Sequence, residues 1–182
     1  MPPRPRRAAI TPLAALAVGA GIATVLLHAA AVGTSAGQRL DDAGRRIPPS
    51  GDLSPADAAT RRLLETVSVS SLALLGVAIM LVAVLRDRAW LAAGAGAAVL
   101  GANLTTQAIK SGVDRPDLVD GTGVGPGAFP SGHVTVAASL ALALVLVAPP
   151  ALRWTAALAG GAYAAGIAVA VLALGWHRPS EV

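Results

Sequence analysis

The chain has no cysteine, which excludes disulfides and thiolate metal sites and leaves the redox compartment open. It is also poor in charge and in rings: Asp, Glu, Lys and Arg make up 13% of its 182 residues, and Phe, Trp and Tyr 3%. A soluble domain normally carries about 25% charged residues, so this composition does not suit one. The lack of aromatics bears on a second question. A net charge of +4 would otherwise suggest nucleic acid, but the basic residues stand singly and in pairs in loops, without a basic surface studded with rings. No nucleic-acid partner is expected.

What is present is aliphatic. Apolar residues make up 54% of the chain, in five blocks that nearly exclude charge: Ile10 to Val32, Val67 to Leu85, Ala89 to Ile109, Val134 to Ala148 and Trp154 to Trp176. Each approaches the ~20 residues that a helix needs to cross roughly 30 Å of hydrocarbon. The fourth is short and is expected to borrow a turn from Pro149 to Leu152. The first follows MPPRPRR and outruns the roughly 7 to 15 apolar residues of a signal core, so it reads as a retained helix. Abundant alanine and glycine suit close helix packing in lipid. The expected fold is all-α: one membrane-embedded domain over residues 1–182, a polytopic transmembrane bundle of five membrane helices.

Arg4, Arg6 and Arg7, then Arg86 and Arg88, then Arg153 fall on one side of such a bundle, which the positive-inside rule makes cytoplasmic. Residues 33–66 then form an extracytoplasmic loop, where Arg39, Arg45, Arg46, Arg61 and Arg62 are balanced by Asp41, Asp42, Asp52, Asp57 and Glu65. Its Pro, Gly, Ser and Asp content reads as a surface loop with a short helix from Pro55. Parity brings the end of the third block, the start of the fourth and the end of the fifth to one membrane face.

Three groups of polar residues meet there. The third block ends in NLTTQAIKSGVDRPDL, with the chain's only lysine, Lys110, and Arg115. Alone, Lys110 would read as a snorkelling anchor; Gly112 lets the helix end so that both cations turn to a common point. The fourth block is preceded by PSGH, residues 130–133. A helix N-terminus attracts anions, Gly132 removes the side chain that would block close approach, and Ser131 adds a hydroxyl donor. An ordinary turn and cap would explain Pro130 to Gly132 but not His133. The chain closes on LALGWHRPSEV, where a helix starting at Pro179 would turn Glu181 back onto His177 and fix its tautomer. Trp176 reads as an interfacial residue, and Arg178 as an anchor or a third cation in the site. His28, without a motif around it, reads as a packed or interfacial histidine. Two histidines and a carboxylate could hold a metal, but the adjoining cations would repel it and no third protein ligand is evident.

These residues resemble the type 2 phosphatidic acid phosphatase superfamily, which shares its core with the vanadium haloperoxidases. Its motifs are a lysine followed by Arg-Pro, then Pro-Ser-Gly-His, then Ser-Arg ahead of a histidine with an aspartate four residues on. The resemblance covers roughly residues 100–182 and rests most firmly on PSGH. It implies that His177 attacks phosphorus and becomes a phosphohistidine, that Glu181 in the aspartate position orients it, and that His133 protonates the leaving group. Lys110, Arg115, Ser131 and the Gly132 amide would hold the phosphoryl oxygens, with no metal or other cofactor. The implied partners are the membrane and a lipid phosphate or diphosphate, at the outer face of a multi-pass cell-membrane protein.

The sequence departs from the pattern in three places. Four residues separate Lys110 from Arg115 where the commoner spacing is six. The Ser-Arg pair falls on Ala170 and Val171, and Arg178 is the conjectured substitute. The final carboxylate is Glu181, one methylene longer than Asp, and family members begin a sixth membrane helix after it whereas this sequence stops at Val182; it is either a fragment or a short member. So near the end of the sequence, the carboxylate is expected to fray. A rival to the phosphatase is a non-catalytic scaffold that binds a lipid headgroup or a membrane subunit. A haloperoxidase is disfavoured by the lipid-soluble composition, and a transporter, suggested by Asn103, Thr105, Thr106 and Gln107, by the lack of broken helices at the midplane. The oligomeric state is not legible.

Overall fold

A computed structural model of the chain describes residues 6–44, 54–66, 69–113, 115–119 and 129–182. Every regular element among them is helical: α1 Arg6–Val32, α2 Ser35–Ala43, α3 Pro55–Thr66, α4 Val69–Leu85, α5 Ala89–Gly112, α6 Gly132–Val147 and α7 Arg153–Ala173, with 3₁₀ turns at Pro150–Leu152 and Pro179–Glu181. The all-α expectation therefore holds. The apolar blocks became α1, α4, α5, α6 and α7, as runs rich in the strong helix formers Ala and Leu should.

The fourth block does not borrow its extra turn. Ala148 precedes Pro149 and is held extended (φ −59°, ψ 141°), as a residue before proline must be, so α6 stops at Val147. Pro150 then opens a turn whose fixed φ suits a helix start, and Pro150–Leu152 lengthens α7 instead.

α6 is the central helix and packs against α4, α5 and α7. One core joins Ile79 and Ala83 of α4, Leu91, Ala92 and Ala95 of α5, and Leu140, Ala143 and Val147 of α6. A second joins Leu64 of α3, Ala137 of α6, and Ile167, Ala170 and Val171 of α7, with Leu174 just beyond it. At the α6–α7 crossing a Cβ on Gly160 would lie 2.8 Å from that of Ala141, so only glycine permits this approach. The outer faces stay apolar: Leu74 is 71% exposed, Leu158 73% and Trp154 81%. Two stretches, Ala14–Val32 and Pro150–Ala173, are long and apolar enough to cross a membrane, while Ala73–Leu85 and Gly132–Val147 are apolar but shorter. Length and hydropathy thus suggest membrane association, with two helices among the described residues long and apolar enough to span.

The described parts of 33–66 are mostly helical. The helix expected from Pro55 is α3, opened by Ser54, whose hydroxyl donates to Asp57 Oδ2 (2.8 Å) and accepts from the Asp57 amide (3.1 Å). The sequence reading missed α2. Thr34 caps it, accepting from the Gly37 amide at 3.0 Å, but its inward residues are Gln38 and Asp41, while Leu40 is exposed. A helix that turns its polar side inward leaves no apolar period to find. Residues 45–53, between α2 and α3, lie outside the described residues.

Candidate active site

The end of α7 sets the site. Gly175 takes a left-handed conformation (φ 66°). Its amide bonds to Leu172 O (2.9 Å), and that of Trp176 to Val171 O (3.0 Å). This is the paired-bond helix stop that favours glycine. The chain is thereby thrown back toward α6, and the Pro179–Glu181 turn closes it. Glu181 Oε2 accepts from the Arg178 amide (3.0 Å) and lies 3.1 Å from His177 Nδ1.

Burial by itself would raise the Glu181 carboxyl. The hydrogen bond from His177, that from the Arg178 amide, and the charges of His177 and Arg178 together outweigh it and hold the group below the usual glutamate range. An ionised carboxylate only accepts, so the Nδ1 of His177 is the donor, and in the neutral imidazole that tautomer leaves the Nε2 lone pair free. Glu181 does not fray: it is 3% exposed, and its backbone oxygen accepts from the Ser131 amide at 2.7 Å.

That last bond ties the turn to the start of α6. Ser131 occupies the cap position of α6, yet its hydroxyl makes no capping bond. The Oγ is buried and has no protein partner. An ordinary cap would spend this oxygen on an amide of the first turn. Beside it, the position a Cβ would take on Gly132 is 3.7 Å from Lys110 Nζ, so the lysine reaches in from the end of α5 over a residue with no side chain. His133 follows in the first turn of α6, its ring centroid 5.7 Å from that of Trp176.

α5 ends at Gly112, and Val113 runs extended (φ −117°, ψ 109°), which lets Arg115 turn inward. Arg115 Nη1 pairs with Asp41 Oδ2 (3.0 Å) and stands 3.8 Å from Glu181 Oε1. Its Nη2 is buried without a partner. The following backbone is held by Gln38, whose Nε2 donates to Pro116 O (2.6 Å) and whose Oε1 accepts from the Leu118 amide (3.2 Å).

Lys110, Arg115, Ser131, Gly132, His133, His177 and Glu181 are thus brought together where α5, α6 and α7 meet. Arg178 is not an exposed anchor; it stands buried beside Glu181, near the oxygen that Arg115 also approaches. It is 2% exposed, its Nε donates to Asp42 Oδ1, and its Nη1 lies 3.7 Å from Glu181 Oε1, so carboxylates already meet its charge. Ala170 and Val171, at the Ser-Arg positions, are buried in the second core. Asp41, Asp42 and Gln38 had counted in the sequence only as loop residues and balancing charge; the Thr34 cap was the one signal of the helix that carries them. Trp176, expected only at the interface, also packs on His133, and His28 packs on Phe129, ring centroids 4.4 Å apart. Among the described residues no three His, Cys, Asp or Glu side chains gather as metal ligands.

A family model described as the PAP2 superfamily matches residues 91–182, which contain every one of the seven converging residues. No curated protein and no solved structure matches the chain.

Proposed function

Because the chain belongs to the PAP2 superfamily, whose members are generally phosphatases, we propose that it is an integral-membrane hydrolase of a lipid phosphate or diphosphate that works through a phosphohistidine. The observation that carries this is a pair of buried donors without acceptors, Arg115 Nη2 and Ser131 Oγ, beside a lysine and an uncapped helix N-terminus. Buried donors left unmade cost about 1–3 kcal/mol each, a debt that an incoming phosphoryl group cancels. Lys110 and Arg115 offset its charge, and Ser131 and the α6 amides take its oxygens.

His177 Nε2 attacks phosphorus opposite the ester oxygen. A P–N bond forms, the P–O bond breaks, and His133 gives its proton to the departing oxygen. Neutral His133 then takes a proton from water, whose oxygen displaces His177 and releases phosphate. Glu181 holds the Nδ1 proton throughout, so the imidazole keeps its tautomer as charge develops on it. The lipid assignment draws support from the apolar outer faces of α4 and α7 around a polar cluster at one end of the bundle. We place α1, α4, α5, α6 and α7 across the cell membrane, with the cluster on the extracytoplasmic side.

Purified protein should release phosphate from a lipid phosphate in the presence of chelator and be blocked by vanadate, which imitates five-coordinate phosphorus. Activity abolished by chelator and restored by a divalent cation would replace this mechanism with a metal-assisted one. A headgroup-binding scaffold is the second reading, favoured by the loss of Ser-Arg to Ala170 and Val171. It requires phosphate or vanadate binding without turnover.

A further inference from the structure

We propose that Asp41, on a helix outside the residues matched to the family, is a positioning residue that aims Arg115 at the phosphoryl group. The inference rests on the phosphate-binding reading of this cluster. A carboxylate that is 5% exposed needs partners, and this one has three, all donors. Oδ1 accepts from the Ser180 amide at 2.8 Å, and Oδ2 from Ser180 Oγ at 2.6 Å and from Arg115 Nη1 at 3.0 Å.

The two bonds from Ser180 moor Asp41 to the turn that also carries Glu181. The third uses one nitrogen of the guanidinium, and because that group is planar and rigid, fixing Nη1 fixes Nη2. Nη2 is the buried nitrogen without a protein acceptor. Asp41 thereby decides where the free end of Arg115 points.

The need for such a mooring is legible in the chain. Arg115 comes only five residues after Lys110, past the end of α5 and its extended Val113, so no helix holds its direction. Its other neighbouring carboxylate, Glu181, stands with Oε1 3.8 Å away, beyond hydrogen-bond reach, while Oε2 is turned to His177. Gln38, one turn before Asp41 on α2, fixes the backbone at Pro116 and Leu118. α2 thus grips the arginine segment at both main chain and side chain, which accounts for a helix whose buried face is polar.

Asn is the sharpest substitution, since it keeps the shape of Asp41 but offers three donors one acceptor oxygen and an NH2 that itself donates. The full chain in detergent is titrated with inorganic vanadate and assayed with an aryl phosphate, for wild type, Asp41→Asn, Arg115→Ala, the double variant and Ser180→Ala. Asp41→Asn should weaken vanadate binding roughly 10- to 100-fold, the loss typical when the partner that orients a ligating side chain is removed. Added to Arg115→Ala it should cost less than about 3-fold, because no guanidinium remains to aim. Ser180→Ala, which keeps the charge and one mooring bond, should weaken binding by a smaller factor of about 3 to 10.

Vanadate affinity within about 3-fold of wild type in Asp41→Asn, or an equal loss on the Arg115→Ala background, overturns the inference, the second outcome meaning general loosening. If Asp41→Asn elutes as aggregate, an unchanged affinity in Ser180→Ala overturns it alone. Wild type that binds vanadate without hydrolysing the ester removes the hydrolase reading and leaves this inference to the affinities. Wild type that does neither removes both.

Discussion

His133 and His177 belong to one cluster with different surroundings, and their proposed roles separate by leaving group. His177 is tied to a carboxylate at Nδ1, whereas the ring of His133 packs on Trp176. General-acid help is typically worth about 10²- to 10⁴-fold and shrinks when the leaving group is already acidic. His133→Ala should therefore keep measurable hydrolysis of an aryl phosphate while losing that of an alkyl lipid phosphate, compared in one detergent preparation. Equal losses on both substrates would remove the proton-donor role.

Glu181 gives a pH prediction. Its folded-state acidity is strengthened, so the stability it contributes is present above the ordinary glutamate value of about 4.3 and is lost as pH falls through its lower folded value. Acid unfolding followed by intrinsic fluorescence should lose part of its slope below about pH 4 in Glu181→Gln. The same variant should lose roughly 10²-fold or more in kcat, because the Gln amide can donate to Nδ1 and put the proton on Nε2. These residues were legible in the sequence because a histidine, a lone lysine and a carboxylate stand out in a chain so short of charge. Asp41 was not, because an aspartate in a loop with as many arginines reads as compensation, and nothing in the local pattern says that Arg115, 74 positions away, is its partner.

Among the elements, the stop of α7 carries the most consequence for its size. At φ 66° any residue but glycine is strained, by about 1–2 kcal/mol. Gly175→Ala should lower the melting temperature and cut activity, since His177 hangs from the turn. Gly161→Ala, on the exposed side of α7 with no atom within 4 Å of the added methyl, should leave activity unchanged and raise or preserve stability. Thermal unfolding and turnover of the two variants, measured together, check the contrast. The apolar helices were legible from their composition. Their ends were less so: Pro149 moved a turn from α6 to α7, because the strongest breaker in the run acts on the residue before it. α2 escaped because its buried face is Gln38 and Asp41, which burial patterns assign to solvent.

For the whole molecule, the proposed orientation, which puts Lys110, His133 and His177 outside, rests on the loop charges. A cysteine at position 118, where Leu118 is 44% exposed, should react with an impermeant reagent on intact cells; reaction only after permeabilisation would invert the topology. Fold class and cluster were within reach of the sequence because both follow from where polarity interrupts hydrocarbon. α5 is the least apolar of the five apolar helices, since it mixes Asn103, Thr105, Thr106 and Gln107 into its run, and Thr106 uses its hydroxyl to bond Thr135 of α6 at 3.0 Å. The claim that joins these scales is that the cluster transfers a phosphoryl group to His177. Quenching the protein with a substrate labelled in its phosphate, within one turnover, should trap an acid-labile label on a peptide containing His177, present in wild type and absent in His177→Ala. Turnover without any label at His177, or label that survives in His177→Ala, would contradict it.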